Sequence, residues 1–405
     1  FTFFSSFGQS FFLGIFNPAI RNELSITHGQ FGSIYASATL LSSFILIWLG
    51  KKIDDINIFK FAILVVLLLS LSCFFFSKIS SITFLFIAIL LMRFSGQGMM
   101  SHTATTTISR YFTKSRGKAL STGWFGLSTA EFILPVLMIY LLSIVDWRII
   151  WIYISISVLV FLPVICFYLI KNLNFDSREE ISEKETSFQN IKNWTRLEVI
   201  KDYRFYIVCM NMLAMPWIAT GVFVYQSFIL SSKGWGQYII AQSFMVYSIS
   251  SVITLFFAGF LIDRFTSRKL LIYMNIPLLI SAGVLFYFKS PISSFFFLGL
   301  IGISNGLANV LGSSTWAEIY GVKHIGSIKA LTTALMVFAT AFGTALFGVL
   351  IDKGLTIENI SLISGTYIFL SIVLLFVIKD KLNPQYQHTL ALILLPSSLS
   401  IQTSI

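Results

Sequence analysis

GFLIDRFTSRK (residues 259–269) lies between two long apolar runs, and GKKIDDINIFK (residues 50–60) sits in the same setting 209 residues earlier. Gly50, Asp54 and Lys60 align with Gly259, Asp263 and Lys269 at that one offset. A second motif keeps it: Tyr111-x-x-Lys114-x-x-Gly117 returns as Tyr320-x-x-Lys323-x-x-Gly326. Two separate motifs sharing one offset mark a duplicated unit.

The residues between the motifs say what kind of unit. Of 405 residues, 56% are apolar and 11% charged, and the mean hydropathy is +0.84. Soluble domains carry about 25% charged residues, and disordered chains are polar, so both classes are excluded. The chain reads as an integral membrane protein. Its net charge of +11 is then the Lys and Arg of cytoplasmic loops, not a nucleic-acid surface. Cys73, Cys166 and Cys209 lie in apolar runs, and the four histidines are scattered, so neither a disulfide framework nor a metal site is expected. The chain opens at Phe1 inside an apolar run with no basic leader. No signal peptide is expected, and a short segment is expected to precede it.

A bilayer core takes roughly 20 apolar residues per helix. Twelve runs qualify: 2–20, 30–50, 58–77, 82–108, 118–142, 147–171, 204–231, 238–262, 269–288, 294–317, 327–351 and 360–378. None alternates with the two-residue period of barrel strands. The expected fold is an all-α membrane protein of twelve transmembrane helices in two pseudo-symmetric six-helix bundles, 1–171 and 204–380. A linker loop (172–203) separates them and a tail (381–405) follows. Loops after even-numbered helices and the C-terminal flank hold 21 of the 28 Lys and Arg; Arg21, Lys78, Arg148, Lys233, Lys289 and Lys353 are alone in the odd loops. This asymmetry puts both termini in the cytoplasm, and a bacterial-type inner membrane is the expected location.

Twelve helices, a six-plus-six repeat and the loop GFLIDRFTSRK resemble the major facilitator superfamily along the chain to about residue 380. The first-half loop departs from the pattern, with Asp55 where a base is expected and Asn57 where Gly is expected. A narrower stretch, RFSGQGMMSHTATTTISRYFTKSRGKAL with a later AEFILP, is similar to the bacterial monocarboxylate and oxalate–formate branch. The resemblance implies secondary active transport by alternating access. It also implies a cytoplasmic gate of Gly259, Asp263, Arg264, Arg268 and Lys269, with Gly50 and Asp54 as the first-half copy. Independently, an Asp at one helix end can bond the free amides of a neighbouring helix N-terminus.

Ionisable groups at membrane depth are costly and mark function. Arg93 and Glu131 fall midway along helices 4 and 5, at ~22 and ~20 Å from the basic side by a rise of 1.5 Å per residue. They are placed to meet. Either they form a switchable pair, in which Arg93 holds an anion and Glu131 takes a proton, or they form a permanent lock. Gln97 is one turn from Arg93. Asn305 and Asn309 map through the repeat onto positions 96 and 100, so these four are expected to face one cavity; interhelical hydrogen bonding is the alternative. Trp217, Tyr225 and Phe12 are aromatic candidates for its wall. His102 is read as an interhelical hydrogen-bonding group, with a proton-relay role as the alternative. Pro135 and Pro216 are expected to kink their helices, and Gly96, Gly98 and Gly302 to permit close approach.

The functional expectation is a transporter of a small organic anion, a monocarboxylate, driven by proton coupling or exchange. The alternative is a proton-driven exporter of drugs or other metabolites on the same fold. No phosphate-binding loop and no nucleophile–base constellation is present, so an enzyme is not expected. No cofactor, metal or nucleic acid is expected; the partners are the substrate anion, a proton or counter-anion, and membrane lipid around a monomer.

Overall fold

The computed structural model describes residues 1–53, 55–111, 116–171, 193–321 and 323–383. Among these the regular structure is helical, with no strand. Among the described residues eleven helices are long and apolar enough to cross a membrane. In the first half these are helix 2 (His28–Leu49), helix 3 (Ile58–Phe76), helix 4 (from Ile82 to Tyr111), helix 5 (Arg116–Leu142) and helix 6 (Trp147–Leu169). The second half has helix 7 (Tyr203–Val224), helix 8 (Gln237–Phe265), helix 9 (Ser267 to Tyr287), helix 10 (Ile292–Tyr320), helix 11 (Ile325–Asp352) and helix 12 (Ile357–Ile378). Most of the linker, 172–192, and the tail from 384 lie outside the described residues.

The helices start where a short polar side chain can accept the free amides of a first turn. Asn57, Ser81, Asp146, Asp202 and Thr356 do so for helices 3, 4, 6, 7 and 12. Thr27 and Gln30 form a reciprocal capping box on helix 2.

Helix 1 is the twelfth, and it is broken. A turn at Thr2–Ser5 and a tight turn at Ser6–Gly8 precede the longest segment, Ser10–Leu24. Gln9 between them is extended, with φ −82° and ψ 153°. The local sequence SSFGQS explains the break. The Ser5 and Ser6 hydroxyls donate back to the Thr2 and Phe3 carbonyls at 2.7 and 2.6 Å, and Gly8 supplies no side chain to hold the turn. Helix 7 is also interrupted: Tyr225, at φ −106° and ψ 25°, separates Val224 from a short helix, Gln226–Lys233. The expected continuous run 204–231 is therefore two pieces.

Helix 1 against 7, helix 2 against 11 and helix 5 against 8 join the first six helices to the last six. A shift of six helices exchanges the second and third of these pairs, as the sequence repeat requires. The inter-half hydrogen bonds cluster on the face away from the Lys- and Arg-rich loops. Asn17 Nδ2 donates to the Val224 carbonyl at 2.7 Å, and Gln226 Nε2 to that of Phe11 at 2.8 Å. Tyr225 Oη donates to the His28 carbonyl at 2.9 Å. Asp352, at the end of helix 11, accepts from His28 N and Gly29 N at 3.0 and 2.8 Å. This carboxylate neutralises the positive end of helix 2 across the interface.

Asp352→Asn keeps the shape and removes the charge. It is expected to weaken this seal by about 1 kcal/mol, a roughly fivefold shift toward the state open on this face. Reaction of a Val224→Cys probe, placed in a background lacking Cys73, Cys166 and Cys209, with a membrane-impermeant maleimide measures it. Unchanged labelling would show that the charge does not hold the seal.

Candidate functional site

Arg93 lies ~17 Å along helix 4 from Ile82, near the middle of a ~30 Å hydrocarbon core. It opens a π-helical stretch, Arg93–Met100, set between Ile82–Met92 and Ser101–Tyr111. Such wide turns inside an α-helix often mark functional sites. Two glycines make the fit possible. A Cβ on Gly8 would meet the Met92 carbonyl at 2.3 Å, and one on Gly96 would meet Gly8 N at 2.7 Å. The break in helix 1 is thus pressed into the widened turn of helix 4.

The Arg93 side chain is 3% exposed. Its Nη1 donates to the Gly8 carbonyl at 3.0 Å and to Ser10 Oγ at 3.4 Å. Its guanidinium carbon stands 5.3 Å from the centre of the Tyr35 ring, and Tyr35 Oη donates to the same Ser10 Oγ at 3.1 Å. Arg93 Nε is buried with no partner. Among the described residues no carboxylate pairs with it. A buried, unneutralised cation costs several kcal/mol.

Glu131 is 8% exposed and is not paired with Arg93 in this structure. The reason is helix 1. Its first turns lie between the middle of helix 4 and helix 5, with Thr2 Oγ1 donating to the Gly123 carbonyl. Equal depth on neighbouring helices therefore does not bring the two groups together. Glu131 instead sits on the helix 5–8 contact, near buried Tyr247. One turn away, Ser248 Oγ donates to the Ser128 carbonyl at 2.7 Å.

The other expected site residues are spread out. Gln97 is half-buried beside the Gly8 turn. Asn305 is half-buried and donates to Ser251 Oγ of helix 8 at 3.0 Å, while Asn309 is exposed. Trp217 packs on Phe342, Phe347 and Tyr367 of helices 11 and 12. Phe12 packs on Phe7, Phe16 and Trp151 within the first half. Tyr225 belongs to the seal. His102 Nε2 lies 3.0 Å from the Gly50 carbonyl, which ties helix 4 to the first gate loop.

Asp54 lies outside the described residues, as does Lys114 of the repeated motif, and Asp263 is placed only by its backbone in helix 8. Arg268 turns inward to its own half. Its Nε is 3.5 Å from Glu318 Oε2, and its Nη1 donates to the Leu382 carbonyl at 3.1 Å. Glu318 of helix 10 also accepts from Ser267 N and Arg268 N at 2.9 and 3.2 Å, so it caps helix 9. Arg264 stacks on Phe265, and Lys269 is exposed. A Cβ on Gly259 would meet open space. The described residues of the expected gate thus touch their own half, and the conformation is closed on the face opposite the basic loops.

Sequence reading missed Gly8, Ser10, Tyr35, Glu318 and Asp352. The polar cluster SSFGQS inside an apolar run was the available signal for the first two. The others matter through long-range contacts that no local pattern encodes.

A family model described as Major Facilitator Superfamily matches residues 1–299 and 227–394. No curated protein matches the chain. Among solved structures, a bacterial homologue of the human lysosomal transporter Spinster, inward-facing and occupied, superposes with a TM-score of 0.70 at 13% identity, covering 95% of this chain and 96% of that one. Its inward-facing, unoccupied form gives 0.68 at 13% identity, covering 94% and 95%. The nucleoside transporter NupG gives 0.65 at 15% identity, covering 94% and 96%. At these identities the likeness is one of fold.

Proposed function

The chain belongs to the Major Facilitator Superfamily, and on that premise we propose that it moves a small organic anion, a monocarboxylate, by proton coupling or by exchange. Secondary transport by alternating access across a membrane follows from the family and the fold. The single observation that supports an anion is Arg93: a guanidinium buried at mid-membrane with an open Nε and no acidic partner among the described residues. One such cation suits one carboxylate head group better than two. The proposed branch is the monocarboxylate and oxalate–formate one, which the stretch from Arg93 and the later AEFILP resemble.

Glu131 is the proposed proton carrier. It stands where helix 5 meets helix 8, a contact that any rocking of the halves remakes. Its surroundings therefore change between states, which lets proton uptake follow conformation. Gln97, Asn305 and Asn309 are proposed as polar walls of the path, with Trp217 and Tyr225 shaping it. The basic loops define the cytoplasmic face, which makes the present conformation inward-facing. Gly259, Asp263, Arg264, Arg268 and Lys269, with Gly50 and Asp54, would then close that face in the other state, and His102 would couple helix 4 to the closure. The membrane is a bacterial-type inner membrane, with both termini on its cytoplasmic side.

Proteoliposomes loaded with lactate and challenged with labelled lactate separate the two roles. Glu131→Gln is expected to keep exchange within about twofold and to lose the stimulation that an inward proton gradient gives the wild type. A Glu131→Gln variant that still accumulates lactate with the gradient would remove Glu131 from coupling.

A further inference from the structure

The break in helix 1 has an electrostatic consequence. The first intrahelical bonds of Ser10–Leu24 are Phe12 N to the Gln9 carbonyl at 3.2 Å and Leu13 N to the same oxygen at 3.1 Å. The amides of Ser10 and Phe11 are therefore left at the open end, and no side chain caps them. A helix N-terminus carries about half a positive charge. Arg93 faces this end, since its Nη1 donates to Ser10 Oγ. Two positive ends therefore stand together at membrane depth, and one of them has an unpartnered Nε. Among the described residues the groups between them are neutral: the Gly8 carbonyl, the Ser10 hydroxyl and the face of Tyr35.

We propose that this junction is one anion site, in which a carboxylate bound to Arg93 also accepts hydrogen bonds from the open amides of Ser10 and Phe11. The site deepens the anion reading of Arg93 and rests on it. In the present conformation the Gly8 carbonyl and the Ser10 hydroxyl share one guanidinium nitrogen, Nη1, and leave Nε without a partner. An arriving carboxylate takes the guanidinium from Gly8 and joins the two segments of helix 1 through its own charge. Broken membrane helices in other transporters present half-helix N-termini to anionic substrate groups in the same physical way. The arrangement selects a compact planar anion. Tyr35 and Ser10 add one hydroxyl each and no further cation, so a second carboxylate on the ligand finds no partner there.

The chain offers a direct test of the amide contribution. Gln9 is already extended, the backbone a residue before proline prefers, and Ser10 is the first helical residue, where proline is best tolerated. Ser10→Pro therefore deletes one amide hydrogen while the helix keeps its start. Ser10→Ala deletes the hydroxyl alone. The readout is equilibrium binding of labelled lactate to purified protein at fixed ionic strength. Ser10→Pro is expected to bind about tenfold more weakly than Ser10→Ala, the scale of one hydrogen bond to a charged group.

Equal binding by the two variants, with Arg93→Gln still defective, would overturn the shared site and leave the Arg93 reading intact. Normal binding by Arg93→Gln, or no binding by the wild type, would overturn both. Hydrogen exchange of the wild-type amides over residues 9–12 covers a misfolded Ser10→Pro. Lactate is expected to slow exchange there, and an unchanged rate would overturn the site.

Discussion

Arg93→Gln is expected to lower carboxylate affinity at least a hundredfold and to abolish transport, while the ligand-free protein stays as stable as the wild type or becomes more so. The two halves of this result have different causes. A guanidinium offers a carboxylate two parallel charge-assisted bonds. Each is worth about 1.5–3 kcal/mol, so losing both removes at least two decades of affinity. In the free protein the same charge is a burden, because Arg93 is buried against a carbonyl and a hydroxyl with no carboxylate among the described residues to offset it. Glutamine is too short to reach the Gly8 carbonyl, but it removes the uncompensated charge. Thermal unfolding without ligand, beside lactate binding, measures both. Arg93→Lys keeps the charge and loses the planar fork, so it is expected to fall between, at about a tenfold loss. An Arg93→Gln protein that unfolds far more easily yet still binds would identify Arg93 as a structural tie.

Gly14→Ala and Gly32→Ala are each expected to drive the protein out of the conformation seen here. A Cβ on Gly14 would meet the Phe223 carbonyl at 2.0 Å, and one on Gly32 would meet the Thr344 carbonyl and Tyr225 Oη, each at 2.4 Å. Both residues lie on the first-half side of the seal and their obstacles on the second-half side. Two of the obstacles are backbone atoms, which no rotamer change can move. Overpacking of this kind costs about 2 kcal/mol, or roughly thirtyfold in the population of the closed seal. Alanine is also the better helix former, so neither helix is weakened. In the state where the halves part on this face the added methyl meets nothing, and folding itself is spared. The Val224→Cys probe, 0% exposed here, is expected to react readily in either variant, and transport is expected to fall with it. Slow labelling at the parental rate would mean that the helices slide past one another and that the glycines do not set the seal.

Much of the fold was legible because the membrane imposes one rule, a helix of about 20 apolar residues, and runs such as 58–77 and 360–378 obey it with little interference. The duplication showed because Gly50/Gly259 and Tyr111/Tyr320 kept their spacing. The break at Gly8–Gln9 did not show, since the apolar residues around SSFGQS satisfy a hydropathy window while serine back-bonding unwinds the backbone beneath it. The π stretch of helix 4 was hidden for a related reason. Its cause is a close approach by Gly8, 85 residues away in sequence from Arg93. Equal depths for Arg93 and Glu131 suggested a meeting, but depth fixes only one coordinate, and helix 1 occupies the space between them. Asp352 looked like an ordinary helix-end acid; its role lies in amides more than 320 residues earlier in the chain.

On the proposed reading the molecule carries carboxylates because a buried guanidinium receives them. Its most direct test is uptake into wild-type proteoliposomes of small labelled monocarboxylates, each beside its neutral amide: lactate with lactamide, acetate with acetamide. The acids are expected to enter and exchange across the membrane while the amides stay at the rate of empty liposomes. Amides carried as fast as their acids, or no carboxylate moved at all, would contradict it.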